Sequence, residues 1–133
     1  PVDVRWQAGP PCTVMGSAGQ LQQVMMNLLQ NAFDAVGGPG AVAPCVRVSM
    51  ACEGAQVHVT VRDNGHGITD LDNLFEPFYT TKKPGEGVGL GLAISSGIVT
   101  DLGGRLTARN AEGGGAVFEM QLPLRGKEAE AAE

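Results

Sequence analysis

Asn27 and Asn31 stand four residues apart in an apolar-rich stretch, Asp63-Asn64-Gly65-His66-Gly67 ends a run of alternating valines, and Gly87, Gly89 and Gly91 lead into a second apolar stretch. Each group suggests a chemistry. At about 100° per residue Gln23, Asn27, Asn31 and Asp34 share one helical stripe, whose amide and carboxylate oxygens are hard ligands suited to Mg²⁺ and to water-mediated phosphate contacts. Asp63 offers a carboxylate at a strand end, beside glycine backbone that can approach a flat ring, an arrangement suited to the amino group of adenine. Three alternating glycines at a helix start leave free amides and the positive dipole end open to phosphate. Their spacing is not the Gly-x-Gly-x-x-Gly of a dinucleotide fold, and no Gly-Lys-Ser/Thr follows as a Walker loop requires. Each motif also has a plainer reading: a solvated helix flank, an Asp-Asn-Gly turn, a flexible hinge.

Residues 68–86 form a connection too long to be idle in a compact domain. It carries Phe75-Glu76-Pro77-Phe78-Tyr79 and then Thr80-Thr81-Lys82-Lys83. We read it as a lid over a nucleotide, anchored by the apolar area of Phe75 and Phe78, with Lys82 or Lys83 reaching phosphate oxygens. His58 and His66 have no neighbouring carboxylate in sequence and are assigned no catalytic role.

The elements that must hold these groups follow from local pattern. Val4 to Gln7 reads as a short strand. Ser17 can cap a helix running from about Ala18 to Val36, which Gly37-Gly38-Pro39-Gly40 ends; Leu21, Met25, Leu28, Leu29 and Ala32 give it a core face beside the polar stripe. Val46, Val48 and Met50, then Val57, Val59 and Val61, alternate with polar residues and predict a hairpin around Glu53-Gly54 with one buried face. After the long connection come a helix to about Leu102 and a second hairpin, Arg105 to Asn110 and Ala116 to Leu122, across Gly113-Gly114-Gly115. Local hairpins favour a mixed, mostly antiparallel sheet with both helices on one face, a two-layer α/β sandwich.

At 133 residues the chain is expected to form one domain over 1–125, with 126–133 as a flexible acidic tail. The formal net charge of −5 argues against sequence-independent nucleic-acid binding. Cys12, Cys45 and Cys52 show neither a zinc spacing nor an even count, and are expected to be three reduced thiols in a cytosolic compartment. The stretch 90–102 is too short and too interrupted to cross a bilayer. The chain begins with Pro1, and we expect an excised part of a longer protein.

Taken together and in order, the motifs resemble the ATP-binding catalytic domain of two-component sensor histidine kinases, in the superfamily that also holds gyrase and the heat-shock chaperone ATPases. The resemblance covers nearly the whole chain. Gln22 to Ala35 is similar to the family's N box, Asp63 to Ile68 to its first glycine box, Leu74 to Phe78 to its F box and Gly87 to Leu92 to its second glycine box. It implies a Bergerat-type fold with an ATP lid, and ATP and Mg²⁺ as cofactors. It implies that Asn31 ligates Mg²⁺, that Asn27 lies near the γ-phosphate, and that Asn27, Asn31, Lys82 and Lys83 act on the transferring group. Asp63 is implied to bond the adenine amino group, and Gly87, Gly89 and Gly91 to make way for the phosphates. Asp34, Gly65, Gly67, Ile68, Phe78, Thr80, Thr81, Val88, Leu90, Leu92 and Ala116 complete the implied nucleotide contacts. Ala116 stands where many relatives carry Thr, and Val88 where a hydroxyl residue is common.

In the related ATPases a Glu stands four residues before the metal-binding Asn and acts as general base on water. Asn27 holds that position here, and an amide cannot take a proton, which favours phosphoryl transfer over hydrolysis. No helix pair with an acceptor His lies in this chain. The resemblance implies a protein-histidine kinase whose γ-phosphoryl goes to a His on a separate dimerisation domain of the same parent, for relay to an Asp of a response-regulator receiver domain. The implied domain is monomeric and cytoplasmic, its parent a homodimer that can be anchored in the bacterial inner membrane. A degenerate nucleotide-sensing module, an ATPase clamp and a protein-serine kinase of the same superfamily are the competing expectations.

Overall fold

The computed structural model describes residues 3–7, 14, 16–37, 43–77 and 90–124. Its elements are β1 (Asp3–Gln7), α1 (Ala18–Val36), β2 (Cys45–Glu53), β3 (Gln56–Asp63), α2 (Gly91–Asp101), β4 (Arg105–Asn110) and β5 (Ala116–Pro123). They build one five-stranded sheet in the order β1-β2-β3-β5-β4. β1 runs parallel to β2 and every other neighbouring pair is antiparallel, giving the mixed, mostly antiparallel sheet expected.

α1 starts where Ser17 Oγ accepts from the Gln20 amide at 3.3 Å, an N-cap that satisfies one of the helix's orphan donors. Val24, Leu28, Ala32 and Val36 recur every fourth residue and are its fully buried positions, while Leu21, Met25, Leu29 and Phe33 are partly buried beside them. The expected core face is thus present, with Val24 and Val36 added to its buried line. α1 lies over β2 and β3, α2 over β4 and β5, and the helices touch each other.

Register explains the inner layer. Val48 pairs with Val61, Val61 with Phe118, and Leu106 with Met120, so all of these face the helices. Burying each such side chain stabilises the fold by about 1.5–3 kcal/mol. Phe75 meets Phe118 edge-to-face, with ring centroids 6.4 Å apart and planes at 89°. Phe75 therefore packs on the core; Phe78, Thr80, Thr81, Lys82, Lys83, Gly87, Val88 and Gly89 lie outside the described residues.

Two expectations are corrected. Cys45 is a free thiol but Cys52 is disulfide-bonded, so the three thiols are not all reduced. Cys52 faces the inner layer opposite Val57, where sequence spacing alone gave no sign of a bond. His58, which lacks a carboxylate nearby in sequence, gains two through sheet pairing: Glu119 at 3.1 Å and Glu53 at 3.8 Å. Both contacts lie on the open face of the sheet, away from the helices. Among the described residues no helix is long and apolar enough to cross a membrane.

Candidate nucleotide site

Asp63 is the last residue of β3 and is only 2% exposed. One oxygen, Oδ1, accepts from the Gly65 amide at 2.9 Å and from the Ala116 amide at 3.3 Å. The first bond closes an Asx turn and the second ties that turn to the start of β5. Oδ2 has no hydrogen-bond donor among the described residues, an uncommon state for a buried carboxylate oxygen. Burial is the largest influence on this carboxyl and raises its pKa; the two amides and the nearby His66 oppose it. The arrangement leaves one hydrogen-bond acceptor in reserve for a donor brought by a ligand.

The turn after Asp63 is held from three sides. Asn64 accepts from the Cys45 amide at 2.8 Å and donates to the Ala43 carbonyl at 2.9 Å, fastening the entry to β2. A Cβ on Gly65 would collide with the Ala35 carbonyl of α1. The glycine therefore permits helix and turn to touch. Gly67 has φ +80°, and a Cβ there would sit 2.9 Å from Asn110 Oδ1. That same Oδ1 accepts from the Ile68 amide at 2.6 Å, while Asn110 Nδ2 donates to the Ile68 carbonyl at 3.0 Å. Asn110, at the end of β4, was not singled out in sequence; the only available signal was an Asn next to a glycine cluster.

The asparagines of α1 divide their work. Asn27 Nδ2 donates to the Gly91 carbonyl at 3.2 Å and to Ser95 Oγ at 3.0 Å. Ser95 is fully buried, so this is a tie between α1 and the first turns of α2. A carbonyl can only accept, which fixes Nδ2 toward α2 and leaves Oδ1 as the atom Asn27 can offer elsewhere. Gly91 sits against this amide, its would-be Cβ 3.6 Å from Asn27 Cγ. Asn31, one turn further and half-buried, makes no side-chain hydrogen bond among the described residues. Asp34 is exposed and accepts from Gln30 Nε2 at 3.0 Å. Leu90 precedes the first turn of α2 with no side-chain cap, and Leu92 packs against the core from that turn.

The described part of the site therefore joins α1, the turn after β3 and the N-terminus of α2. Of the expected residues it brings together Asn27 with Gly91, and Asp63 with Gly65 and Ala116. Residues 16–126 match the family described as "Histidine kinase-, DNA gyrase B-, and HSP90-like ATPase". The chain belongs to this family. Among curated relatives, this ATPase domain is 50% identical over 116 residues to the two-component sensor PprA of Pseudomonas aeruginosa, a match covering 84% of this chain and 12% of PprA. It is 38% identical over 119 residues to the sensor histidine kinase ZraS of Klebsiella oxytoca, covering 88% of this chain and 25% of ZraS. The chain thus corresponds to a small fraction of either relative's length.

Solved structures agree on the fold. The mycobacterial sensor histidine kinase MprB superposes with a TM-score of 0.78 at 27% identity, over 93% of this chain and 83% of that one. The histidine kinase ThkA, in a crystal structure with the response regulator protein TrrA, gives 0.76 at 27% identity, over 96% of this chain and 35% of that one. In its mixed α/β sandwich the domain is thus similar to the catalytic domains of histidine kinases.

Proposed function

We propose that this domain binds Mg²⁺-ATP between α1, the Asp63 turn and the N-terminus of α2, and places the γ-phosphoryl within reach of a histidine on a dimerisation domain of its parent. The observation that carries the nucleotide reading is the buried Asp63 carboxylate, with two backbone amides on Oδ1 and, among the described residues, none on Oδ2. Such an oxygen suits the exocyclic amino group of adenine, and a guanine carbonyl at the same place would meet acceptor with acceptor. Ala116 keeps its part in this arrangement through its amide, which needs no hydroxyl side chain.

The donor set fits a hard divalent cation. Among the described residues Asn31 offers an amide oxygen without an internal partner, and Asn27 has Oδ1 to spare once Nδ2 is fixed on α2. Asn31 would hold the cation and Asn27 Oδ1 would receive one of its waters. Bound there, Mg²⁺ would neutralise charge on the β- and γ-phosphates. Asn27 cannot act as a base on water, because its side chain is an amide whose donor end is committed to Gly91 and Ser95. Transfer to a better nucleophile than water is the chemistry this favours. The acceptor histidine nitrogen would form the new bond to γ-phosphorus while the bond to the ADP oxygen breaks.

The partners follow as part of the same proposal: the phosphoacceptor-His domain of a homodimeric parent, then a receiver Asp of a response regulator, in a cytoplasmic setting beside an inner membrane that can anchor the parent. Lys82 and Lys83 are proposed for the phosphates, and Phe78, Thr80, Thr81, Gly87, Val88 and Gly89 for the lid and the second glycine box. Supplying the parent protein with γ-labelled ATP tests the reading. Acid-labile, base-stable label lost on Asn31→Ala is expected. Acid-stable label would make it a serine kinase, and phosphate release without label an ATPase clamp. Saturable adenine binding with neither would make it a nucleotide sensor.

A further inference from the structure

The open face of the sheet carries a second chemistry that ATP does not use. Arg47 of β2 pairs in register with Arg62 of β3, and Arg5 of β1 holds the register position next to Arg47. On the other side Arg62 pairs with Val117, which pairs with Arg109 of β4. One transverse row of the sheet therefore reads Arg5, Arg47, Arg62, Val117, Arg109. Like charges directly opposite each other on neighbouring strands repel. Arg47 is exposed and has no hydrogen-bond or ion-pair partner among the described residues, and Arg62 bonds only a backbone carbonyl, that of Glu112, at 3.2 Å. The row is concentrated in a chain whose formal net charge is −5. A depression of about 220 Å³ opens beside it, lined by Cys45, Arg47, Arg62, Asp63 and Asn64.

We propose that this face docks an acidic protein segment, whose Asp or Glu carboxylates sit on Arg47 and Arg62 at the depression. Two planar guanidiniums side by side match carboxylates in a bidentate manner and would lose their mutual repulsion on binding. The rest of the face selects the class of partner. Glu119 is held by His58 at 3.1 Å and by Gln121 at 2.7 Å, and Glu53 lies on the far side of His58 at 3.8 Å. Arg47 and Arg62 therefore meet at one end of the face, while the carboxylates Glu53 and Glu119 stand toward the other, with His58 and with Arg105 in register with Gln121. A uniformly anionic membrane surface or nucleic acid would have to lie on Glu53 and Glu119 as well, and a protein segment with its acidic residues grouped over Arg47 and Arg62 would not.

The test is fluorescence anisotropy of a labelled Asp/Glu-rich peptide titrated with this chain, against phosphatidylserine vesicles and duplex DNA as competing probes. Saturable peptide binding that weakens at least tenfold in R47E/R62E, and falls as salt rises, is expected. Because the double reversal could disturb β3, the exposed single change Arg47→Ser is the second variant, with a smaller loss expected. ADP affinity should stay unchanged in Arg47→Ser, showing that the nucleotide site and fold persist. Peptide binding that survives both variants, no peptide binding at all, or binding of vesicles or DNA in its place would overturn the proposal.

Discussion

The side-chain amide of Asn110 grips both backbone groups of Ile68, accepting from its N–H at 2.6 Å and donating to its C=O at 3.0 Å. In effect one side chain stands in for a paired strand and holds the turn after Asp63 against the β4–β5 hairpin. The pairing also accounts for Gly67, since any Cβ there would crowd the same Asn110 oxygen.

Asn110→Ala should therefore loosen the turn without touching the core. Losing two hydrogen bonds at an exposed site costs about 1–2 kcal/mol, because water replaces part of what is lost. Nucleotide affinity should fall alongside, since Ile68 and Gly67 belong to the expected contacts. Urea unfolding combined with ADP titration checks both; full affinity with reduced stability would remove the turn from the site.

Gly65→Ala is a harsher change. The added methyl meets the Ala35 carbonyl of α1 and the α-carbon chain on both sides is tied down, by Asp63 in the turn and by the helix itself. Overpacking of this kind costs about 1–3 kcal/mol or more. A lower midpoint in urea is expected, with an unchanged slope. An unaltered midpoint would mean that helix and turn can part freely.

The elements were legible because their signals were local. α1 has the expected bounds, Ser17 caps it, the first hairpin pairs as the alternating valines foretold, and the second forms across Gly113-Gly114-Gly115 as expected. The site was legible only in residue type. Nothing in the spacing told that Asn27 turns its amide nitrogen to α2, that Gly65 serves a helix, or that His58 stands between Glu53 and Glu119. Each is a contact between residues far apart in the chain, set by register and helix packing, which no window of sequence contains. Asn110 went unnoticed for the same reason: its partner Ile68 lies 42 residues away.

Asp63→Asn separates binding from folding. The amide oxygen can still accept from Gly65 and Ala116, so the turn is retained, but the second position becomes a donor facing the donor of an adenine. A hydrogen bond to a charged group is worth about 1.5–3 kcal/mol, so ADP affinity should drop more than tenfold. Stability should move the other way at neutral pH. Burial raises the pKa of Asp63 in the folded state, so its contribution is fully present below the ordinary Asp value of about 3.9 and is lost as pH rises through the raised value. The variant lacks that loss, and its advantage over the parent sequence should shrink as the pH is lowered. Thermal melts across that range check the sign, and a variant less stable at neutral pH than at acid pH, relative to the parent sequence, would contradict it.

Asn27 and Asn31 look interchangeable as letters and should behave as opposites when each is changed to Asp. At position 27 the change replaces the donor that meets the Gly91 carbonyl at 3.2 Å with a charged oxygen, while Ser95 can at best turn its hydroxyl round. A partly buried carboxylate against a carbonyl costs on the order of 2 kcal/mol, a drop of about 5–10 °C in Tm for a domain of this size. At position 31 no internal bond is lost, and a carboxylate is at least as good a ligand for a hard divalent cation as an amide. Asn31→Asp should therefore melt within about 2 °C of the parent sequence and keep its Mg²⁺-dependent nucleotide binding, whereas Asn31→Ala should lose the Mg²⁺ dependence alone. Melting curves and ADP titrations with and without Mg²⁺ distinguish the roles. Equal destabilisation by Asn27→Asp and Asn31→Asp would show that the first asparagine is no more a link between the helices than the second.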